Sequence, residues 1–340
     1  MGAKLENKSE RTKSFEQKLL KRNKFKWFGY HLTGMLWYQN PDSPLAKAYQ
    51  NTFYCSNVIE VTADGLAKSK YCKNRWCPIC QRNKMGAMIN AYSERLKLEK
   101  ELWFITLTRP NVTAEELKKE ISRYQQLWRQ IANRYEYRRA MRMGVIGIRK
   151  VECTYHGRQF LKDGSPDPLY NTYHPHFHLL ISSEELAKFI LFQWLLLNSC
   201  SNEKAQKCEK VNSDGGILEI FKYFTKLIAK DSSGKRYFDA LHMNTIFEAM
   251  QGRKVYFRLG QGKVWGVAEV TEEDEDQIAT IETDATPSFY GWAEFEKEFG
   301  YYDIESGEVL TELPKAGRLF DIITESEQRL DTPPQTTDKM

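Results

Sequence analysis

Long apolar runs are absent from this 340-residue sequence, whose most apolar stretch covers only residues 189–197. A membrane-crossing helix needs about 20 consecutive apolar residues, so the sequence predicts no membrane-spanning segment. The first 26 residues are rich in lysine and arginine and contain no apolar core. We therefore expect no secretion signal and a cytoplasmic location. In that compartment thiols stay reduced, so the seven cysteines would be free to bind metal.

Acidic residues are scarce in the first 266 residues relative to basic ones. Residues 267–340 hold 20 acidic and five basic side chains, so the first 266 carry a net charge of +20 against −15 for the remainder. A large positive excess with interleaved aromatics suits a polyanion such as nucleic acid. A basic excess can also serve solubility alone.

Histidine is scarce too, yet three of the six histidines fall at alternate positions in one short segment. Residues 173–181 are rich in strand-forming side chains, and successive side chains of a strand point to opposite faces. His174, His176 and His178 therefore share one face, with Phe177 and Leu179 on the other. Hydrogen-bonded histidines on a half-buried strand would give the same pattern, but paired imidazoles on a stiff strand also suit a metal ion.

A second strand, predicted over residues 144–154, supplies a carboxylate. Glu152 lies on the same face of this strand as Lys150 and Thr154. A loop rich in glycine, aspartate and proline joins the strand to the histidine segment, so we expect the two to pair as antiparallel neighbours. That pairing would place Glu152 beside the imidazoles as a third metal ligand. Asp163 and Asp167 of the loop are the alternatives.

Four cysteines predict a structural zinc site nearer the N-terminus. Cys55, Cys72, Cys77 and Cys80 have the spacing Cys-x16-Cys-x4-Cys-x2-Cys, and the last pair forms a Cys-Pro-x-Cys knuckle that presents two thiolates from a tight turn. A redox pair or four unconnected buried cysteines are the alternatives. The knuckle is surrounded by basic residues that would suit nucleic-acid contact. These are Lys73, Arg75, Arg82 and Lys84.

The sequence of residues 217–230 predicts a helix that carries a further group of candidate functional residues. Glu219, Tyr223 and Lys226 lie at i, i+4 and i+7 on one side of it. Two simpler roles compete: Glu219 could form an ion pair with Lys222, and Tyr223 could lie half on the core.

Together these motifs resemble those of replication initiators of rolling-circle plasmids, which belong to the HUH endonuclease superfamily. The matching residues are Cys72 to Cys80 as the knuckle, residues 104–108 (Phe-Ile-Thr-Leu-Thr) as the first motif, His176-Phe177-His178 as the HUH motif, and Glu219 to Lys226 with the single nucleophilic Tyr223. The resemblance covers roughly residues 50–265. It implies nothing about the acidic residues 267–340.

The resemblance implies an α+β fold with a central antiparallel sheet of about five strands flanked by helices, together with an N-terminal zinc module held by four cysteines. With the composition, it divides the chain into four regions. These are a basic disordered arm (1–26), a zinc-knuckle DNA-binding region (27–100), an HUH nickase catalytic domain (101–266) and an acidic, partly disordered tail (267–340).

The chemistry that the resemblance implies is the nicking and joining of one DNA strand. A divalent cation, Mg²⁺ or Mn²⁺, on His176, His178 and Glu152 would orient the phosphate. Attack by Tyr223, supported by Lys226, would leave a 5′-phosphotyrosine. The remaining assignments are Glu219 as a base that activates water, and His174, Thr106 and Thr108 as second-layer or DNA-contacting residues.

The partners implied are plasmid origin DNA, single-stranded or extruded as a hairpin, with a host helicase and polymerase, and a homodimer is possible. Two other functions remain open. A single-tyrosine HUH transposase or mobilisation relaxase would use the same site, and a zinc-knuckle DNA-binding repressor would need its histidines only for structure.

Overall fold

We describe the protein from a computed structural model. The residues that it describes are 3–62, 66–212, 217, 219–221, 229–230, 236–237, 239–266, 279–280, 288–295 and 298–309. The chain divides into two compact units, which are treated separately below. The first comprises residues 1–87 and 271–332, and the second comprises residues 88–270 and 333–340.

The first unit combines two helices with an antiparallel sheet. The helices are α1 (Ala3–Gln39) and α2 (Ala46–Phe53), and α3 (Pro78–Lys97) begins in this unit. The strands are β1 (Val58–Val61), β2 (Leu66–Ser69), β10 (Ala279–Thr280), β11 (Ser288–Phe295) and β12 (Glu298–Asp303). They are hydrogen-bonded in the order β10-β2-β1-β11-β12.

The N-terminal segment differs from the expected disordered arm, because residues 3–39 form the single helix α1. Its second half buries Phe25, Phe28, Leu32 and Leu36. Their spacing places these side chains on one side of the helix, where packing outweighs the repulsion among the basic residues.

The acidic tail also differs from the expectation in part, because three of its segments, β10, β11 and β12, are strands of the first unit. β11 pairs with β1 in the register Ile59 to Tyr290, and β12 pairs with β11. Trp292 and Tyr301 are buried there. Burial of these aromatic side chains stabilises the strands, although the acidic composition of the tail predicted partial disorder. The acidic run 272–276 lies outside the described residues.

The second unit is built on the predicted five-stranded antiparallel sheet. Its order is β6-β3-β5-β4-β9. The strands are β3 (Trp103–Thr108), β4 (Gly147–His156), β5 (Thr172–Ile181), β6 (Lys207–Lys210) and β9 (Tyr256–Leu259). Helices flank this sheet, so the predicted α+β fold class is confirmed.

The helices of this unit are α4 (Ala114–Ala132), α5 (Tyr135–Arg142), α6 (Glu184–Leu197), α7 (Ala240–Met250) and α8 (Gly262–Trp265), with a short 3₁₀ turn at Glu203–Ala205. A capping box between Thr113 and Glu116 begins α4. The Ser183 hydroxyl caps α6 by accepting a hydrogen bond from the Leu186 N–H. None of the helices in the described part of the chain is both long and apolar enough to cross a membrane.

The core of the second unit lies between the helices and one face of the sheet. Phe177 is fully buried, and its ring centroid is 5.1 Å from that of Tyr124 in α4 and 6.0 Å from that of Trp194 in α6. Because strand side chains alternate, this packing turns His176 and His178 to the opposite face. The helices thereby fix which face of the sheet carries the histidines.

The helix predicted over residues 217–230 is shorter than expected. Ile217 and Glu219 are helical, whereas β7 (Ala229–Lys230) pairs with β8 (Arg236–Tyr237). Tyr223 and Lys226 lie outside the described residues.

Candidate metal centres and nucleophile segment

The pairing of β4 with β5 brings the predicted carboxylate to the histidines. His176 lies opposite Glu152, and His178 lies opposite Lys150. On the other side of β5, Thr106 of β3 lies opposite His178. Directly opposite residues of antiparallel strands share a face, so these side chains form one cluster in the middle of the sheet.

Three side chains of this cluster lie close enough together to hold a metal ion. His176 Nε2 is 3.7 Å from Glu152 Oε1, and His178 Nε2 is 3.5 Å from Glu152 Oε2. One potential ligand atom from each residue lies within 4.8 Å of those from the other two. We refer to Glu152, His176 and His178 as the histidine–glutamate cluster.

The second ring nitrogens of both histidines are held by hydrogen bonds. His176 Nδ1 is 3.1 Å from the carbonyl oxygen of His174, and a carbonyl can only accept, so Nδ1 carries the proton. His178 Nδ1 is 3.1 Å from the Thr106 hydroxyl. These bonds fix the rings and direct Nε2 of both histidines at Glu152, as metal-binding histidines require.

Lys150 sets the electrostatics of the cluster. Its ammonium group is almost fully buried and donates a 2.7 Å hydrogen bond to Glu152. Burial raises the pKa of Glu152, but the Lys150 charge and the two imidazoles outweigh that effect and hold the pKa well below its usual range. Burial lowers the pKa of His178. An ionised carboxylate beside the neutral imidazole of His178 suits the binding of a divalent cation.

His174 is separate from this group. Its Nδ1 is 2.8 Å from the side-chain oxygen of Asn111, and the Asn111 amide in turn donates to the Thr172 hydroxyl. Burial, with the nearby charges of His176 and His156, lowers the pKa of His174 to about 4. His174 therefore supports the cluster mainly through its backbone carbonyl.

Neither alternative carboxylate belongs to the cluster. Asp167 accepts hydrogen bonds from His156 and Arg158, at 2.9 and 2.8 Å. Asp163 accepts from Ser165 within the loop. Both carboxylates stabilise the loop between β4 and β5 and are engaged there.

The first-motif threonines have different surroundings. Thr106 contacts His178 as described, whereas the buried Thr108 is held by Gln206, whose side-chain oxygen accepts from the Thr108 N–H at 2.7 Å. The carbonyl of Thr108 accepts from Trp194. Thr108 therefore fixes the end of β3 against the chain around Gln206.

The predicted nucleophile segment is described only at its beginning. Glu219 is exposed, whereas Ile220 and Phe221 are fully buried. The carbonyl of Phe221 accepts a 3.3 Å hydrogen bond from the Tyr256 hydroxyl, and Tyr256 lies opposite Lys150 in the β4–β9 pair. Phe221 therefore lies on the face of the sheet that carries the histidine–glutamate cluster.

The four predicted cysteines converge in the first unit. The Sγ of Cys55 is 3.5 Å from that of Cys80 and 3.5 Å from that of Cys77, and the Sγ of Cys72 is 3.7 Å from that of Cys80. Four thiolates around Zn²⁺, with bonds of about 2.3 Å, are spaced by roughly 3.8 Å. All four cysteines are free thiols, and the arrangement fits a tetrahedral zinc site.

The basic residues around the knuckle have unequal exposure. Lys73 is exposed, whereas Arg75, Arg82 and Lys84 are partly buried. The Arg82 guanidinium lies 4.2 Å from the ring centroid of Phe25. Part of the positive charge around the knuckle is therefore packed against α1.

Two basic residues near the cysteines were missed by the sequence analysis. The Lys26 ammonium donates to the Phe53 carbonyl, and burial lowers the pKa of Lys26 to about 8 although charge on Cys55 and Cys77 acts in the opposite direction. Arg22 donates to Ser56 and Tyr71. Arg22 and Lys26 are four residues apart and therefore lie on the same side of a helix. This spacing was not recognised because residues 1–26 were expected to be disordered.

Comparison with known proteins gives matches over part of the chain. A family model described as "Replication protein" matches residues 63–186. A Staphylococcus aureus protein named "Protein rep" is 31% identical over 139 residues, which is 38% of this chain and 55% of that protein. Proteins of the same name from Lentilactobacillus hilgardii and Bacillus sp are 29% and 32% identical, over 39% and 43% of their lengths. No solved structure matches the chain.

The matched segment contains the whole histidine–glutamate cluster and three of the four cysteines. It ends before Glu219. This chain spans about half or less of the length of those relatives. The family model over residues 63–186 and the relatives named above confirm the resemblance to replication proteins that the sequence motifs predicted.

Proposed function

We propose that this protein is a plasmid rolling-circle replication initiator that cuts and rejoins one DNA strand at the plasmid origin. The observation that carries the proposal is the convergence of His176, His178 and Glu152, inside the segment that matches replication proteins. The buried Lys150 keeps the carboxylate ionised, and the hydrogen bonds to Nδ1 orient the rings. A carboxylate with two imidazoles suits a divalent cation better than a purely structural role.

The histidine–glutamate cluster would hold Mg²⁺ or Mn²⁺, which when bound supplies a Lewis acid for a phosphate oxygen. Tyr223 would provide the nucleophile. Its phenolate oxygen would form a bond to phosphorus while the bond from phosphorus to the 3′ oxygen breaks. The 5′ phosphate would remain on the tyrosine, and the departing 3′ oxygen would take up a proton.

The reverse step would rejoin the strand, because the freed 3′ hydroxyl can attack the phosphotyrosine. That hydroxyl can also prime a host polymerase, with a helicase needed to open the duplex.

The role of Tyr223 is supported by the Phe221 carbonyl, two residues before it in the chain. This carbonyl accepts a hydrogen bond from Tyr256, which lies on the face of the sheet that carries the histidine–glutamate cluster. Lys226 would stabilise the phenolate, and Glu219 would act as a base for water in a final cleavage.

The cysteine site would bind one structural Zn²⁺ and hold the first unit together. Its surrounding basic residues, with the positive excess of the first 266 residues, would contact origin DNA through its phosphates. A protein with only this binding role would be a repressor and would form no covalent bond to DNA.

The test is covalent capture of DNA. Single-stranded oligonucleotides that tile the replicon encoding the chain are incubated with protein and Mn²⁺, then separated under denaturing conditions. We expect one oligonucleotide to give a denaturation-resistant adduct, which disappears when Mn²⁺ is omitted and in Tyr223→Phe. Tyr135→Phe, which removes the hydroxyl of an exposed tyrosine, serves as the control and should keep the adduct.

An undiminished adduct in Tyr223→Phe would show that another residue is the nucleophile. No adduct from any oligonucleotide in the wild type would reject the endonuclease and favour the repressor.

A further inference from the structure

The helix-covered side of the central sheet has a basic cleft of about 370 Å³. It lies between α4 and the segment 253–257. Three of its lining side chains are cationic, Arg129, Arg253 and Lys254, and none is acidic. The volume is within the range of about 300–1,000 Å³ typical of small-molecule sites. The lining therefore predicts an anionic ligand of modest size.

A buried guanidinium lies beneath this cleft. The Arg149 side chain is 2% exposed and donates a 3.0 Å hydrogen bond to the Gln125 side chain, which lines the cleft. Its Nε and Nη1 have no hydrogen-bond partner in the part of the chain that the structure describes. Within that part, no acidic residue forms an ion pair with it. Burial lowers the pKa of Arg149, as expected for a charge without a counter-ion.

Aromatic rings surround Arg149 in place of an acid. Its guanidinium carbon lies 4.1 Å from the ring centroid of Phe257 and 4.6 Å from that of Trp128. Phe257 also lines the cleft. Cation–π contacts offset part of the cost of burying a charge but do not neutralise it. An anion in the cleft would supply the missing negative charge.

The rest of the lining narrows the class of anion. Gln126 offers an amide donor and an acceptor, Gln125 offers its amide N–H groups while its oxygen accepts from Arg149, and Phe257 offers a half-buried ring. Guanidinium groups favour phosphate, amides can pair with base edges, and aromatic rings stack on bases. The Arg253 guanidinium is held in place by a 2.8 Å bond to the Ser122 hydroxyl.

We propose that this cleft binds one nucleotide, with the phosphate on Arg129, Arg253 and Lys254 and the base against Phe257. The site is separate from the histidine–glutamate cluster, because Arg149 and Lys150 are neighbours on β4 and point to opposite faces of the sheet. The nucleotide is either free or one unit of a bound strand, since the two share this chemistry.

The test is calorimetric titration of the full chain with dTMP in buffer without divalent cations. We expect one dTMP per chain, weaker binding of inorganic phosphate and no binding of thymidine. Arg129→Gln should weaken dTMP binding by about tenfold, because it removes one charged hydrogen-bond donor. The control is Arg123→Gln, which removes the same charge from an exposed position of α4 outside the cleft and should change the affinity by less than about twofold.

Equal dTMP affinity in wild type and Arg129→Gln, or an equal loss in Arg123→Gln, would overturn the proposal. So would binding of tetraglutamate that matches dTMP and also depends on Arg129, since the cleft would then be an acidic-peptide site. Titration with pentathymidylate distinguishes a free nucleotide from one unit of a bound strand. A loss of pentathymidylate affinity in Arg129→Gln indicates a strand, whereas unchanged affinity with loss of dTMP binding indicates a free nucleotide.

Discussion

His176 lies directly opposite Glu152 in the β4–β5 pair, and its Nε2 is 3.7 Å from the Glu152 Oε1. That separation is long for a hydrogen bond. It is slightly longer than the roughly 3 Å between neighbouring ligand atoms around Mg²⁺ at about 2.1 Å. The two side chains are therefore spaced so that a small inward movement would place a cation between them.

The first prediction concerns this pair and His178. His176→Asn or His178→Asn should each lower the affinity for Mn²⁺ by about a hundredfold or more, because loss of a residue that only supports a ligand already costs about 10- to 100-fold. Titration calorimetry on the full chain measures the affinity.

His174→Asn is the matched control for the histidine variants. The hydrogen bond from His176 to His174 is accepted by the backbone carbonyl, which the substitution keeps. Mn²⁺ affinity should therefore stay within about threefold of wild type. A loss as large as that in His176→Asn would mean that His174 is itself a ligand.

The second prediction concerns the cysteine site. Cys77→Ser/Cys80→Ser should lose its zinc, as measured by metal analysis of the purified protein. The midpoint of thermal unfolding should fall by more than about 10 °C, because a structural zinc contributes many kcal/mol to folding. Cys200→Ser changes an exposed cysteine outside the cluster and should keep both the zinc and the midpoint. Full zinc content in the double variant would show that these thiols are not ligands.

The histidine–glutamate cluster could be predicted from the sequence more completely than the fold of the first unit could. Strand alternation is a local property with a period of two, so it places His176, His178 and Glu152 on shared faces without knowledge of the rest of the fold. The first unit depends instead on remote contacts. The Trp292 indole donates to Asn23, which is 269 residues away, and no local pattern encodes that pairing.

The third prediction tests whether the tail strands stabilise the first unit. Trp292 is 8% exposed, and its Nε1 donates a 2.8 Å hydrogen bond to the Asn23 side chain. Trp292→Ala should lower the free energy of unfolding by about 3 kcal/mol, as truncation of a buried tryptophan does. Urea denaturation measures the change. Phe289→Ala, on the same strand but 46% exposed, should cost less than about 1 kcal/mol. Equal small losses in both variants would show that the tail strands do not stabilise the first unit.

The fourth prediction concerns the pH dependence of the loop between β4 and β5. The hydrogen bond from His156, with those from the Leu169 N–H and Arg158, lowers the pKa of Asp167 to about 2. An aspartate in the unfolded chain has a pKa of about 3.9. Because the folded pKa is the lower of the two, ionised Asp167 stabilises the fold above about pH 4, and this contribution is lost as the pH falls toward 2. Asp167→Asn should therefore lower the thermal midpoint at pH 7, and the difference from wild type should shrink steadily between pH 4 and pH 2.

Asp163→Asn is the control for the same loop. Asp163 is exposed and bonds only to Ser165 among the described residues. Its substitution should change the midpoint at pH 7 far less than that of Asp167. A midpoint difference for Asp167→Asn that stayed constant from pH 7 to pH 2 would show that the carboxylate's charge does not stabilise the loop. The loop would then be held by contacts that the asparagine amide can replace equally at every pH.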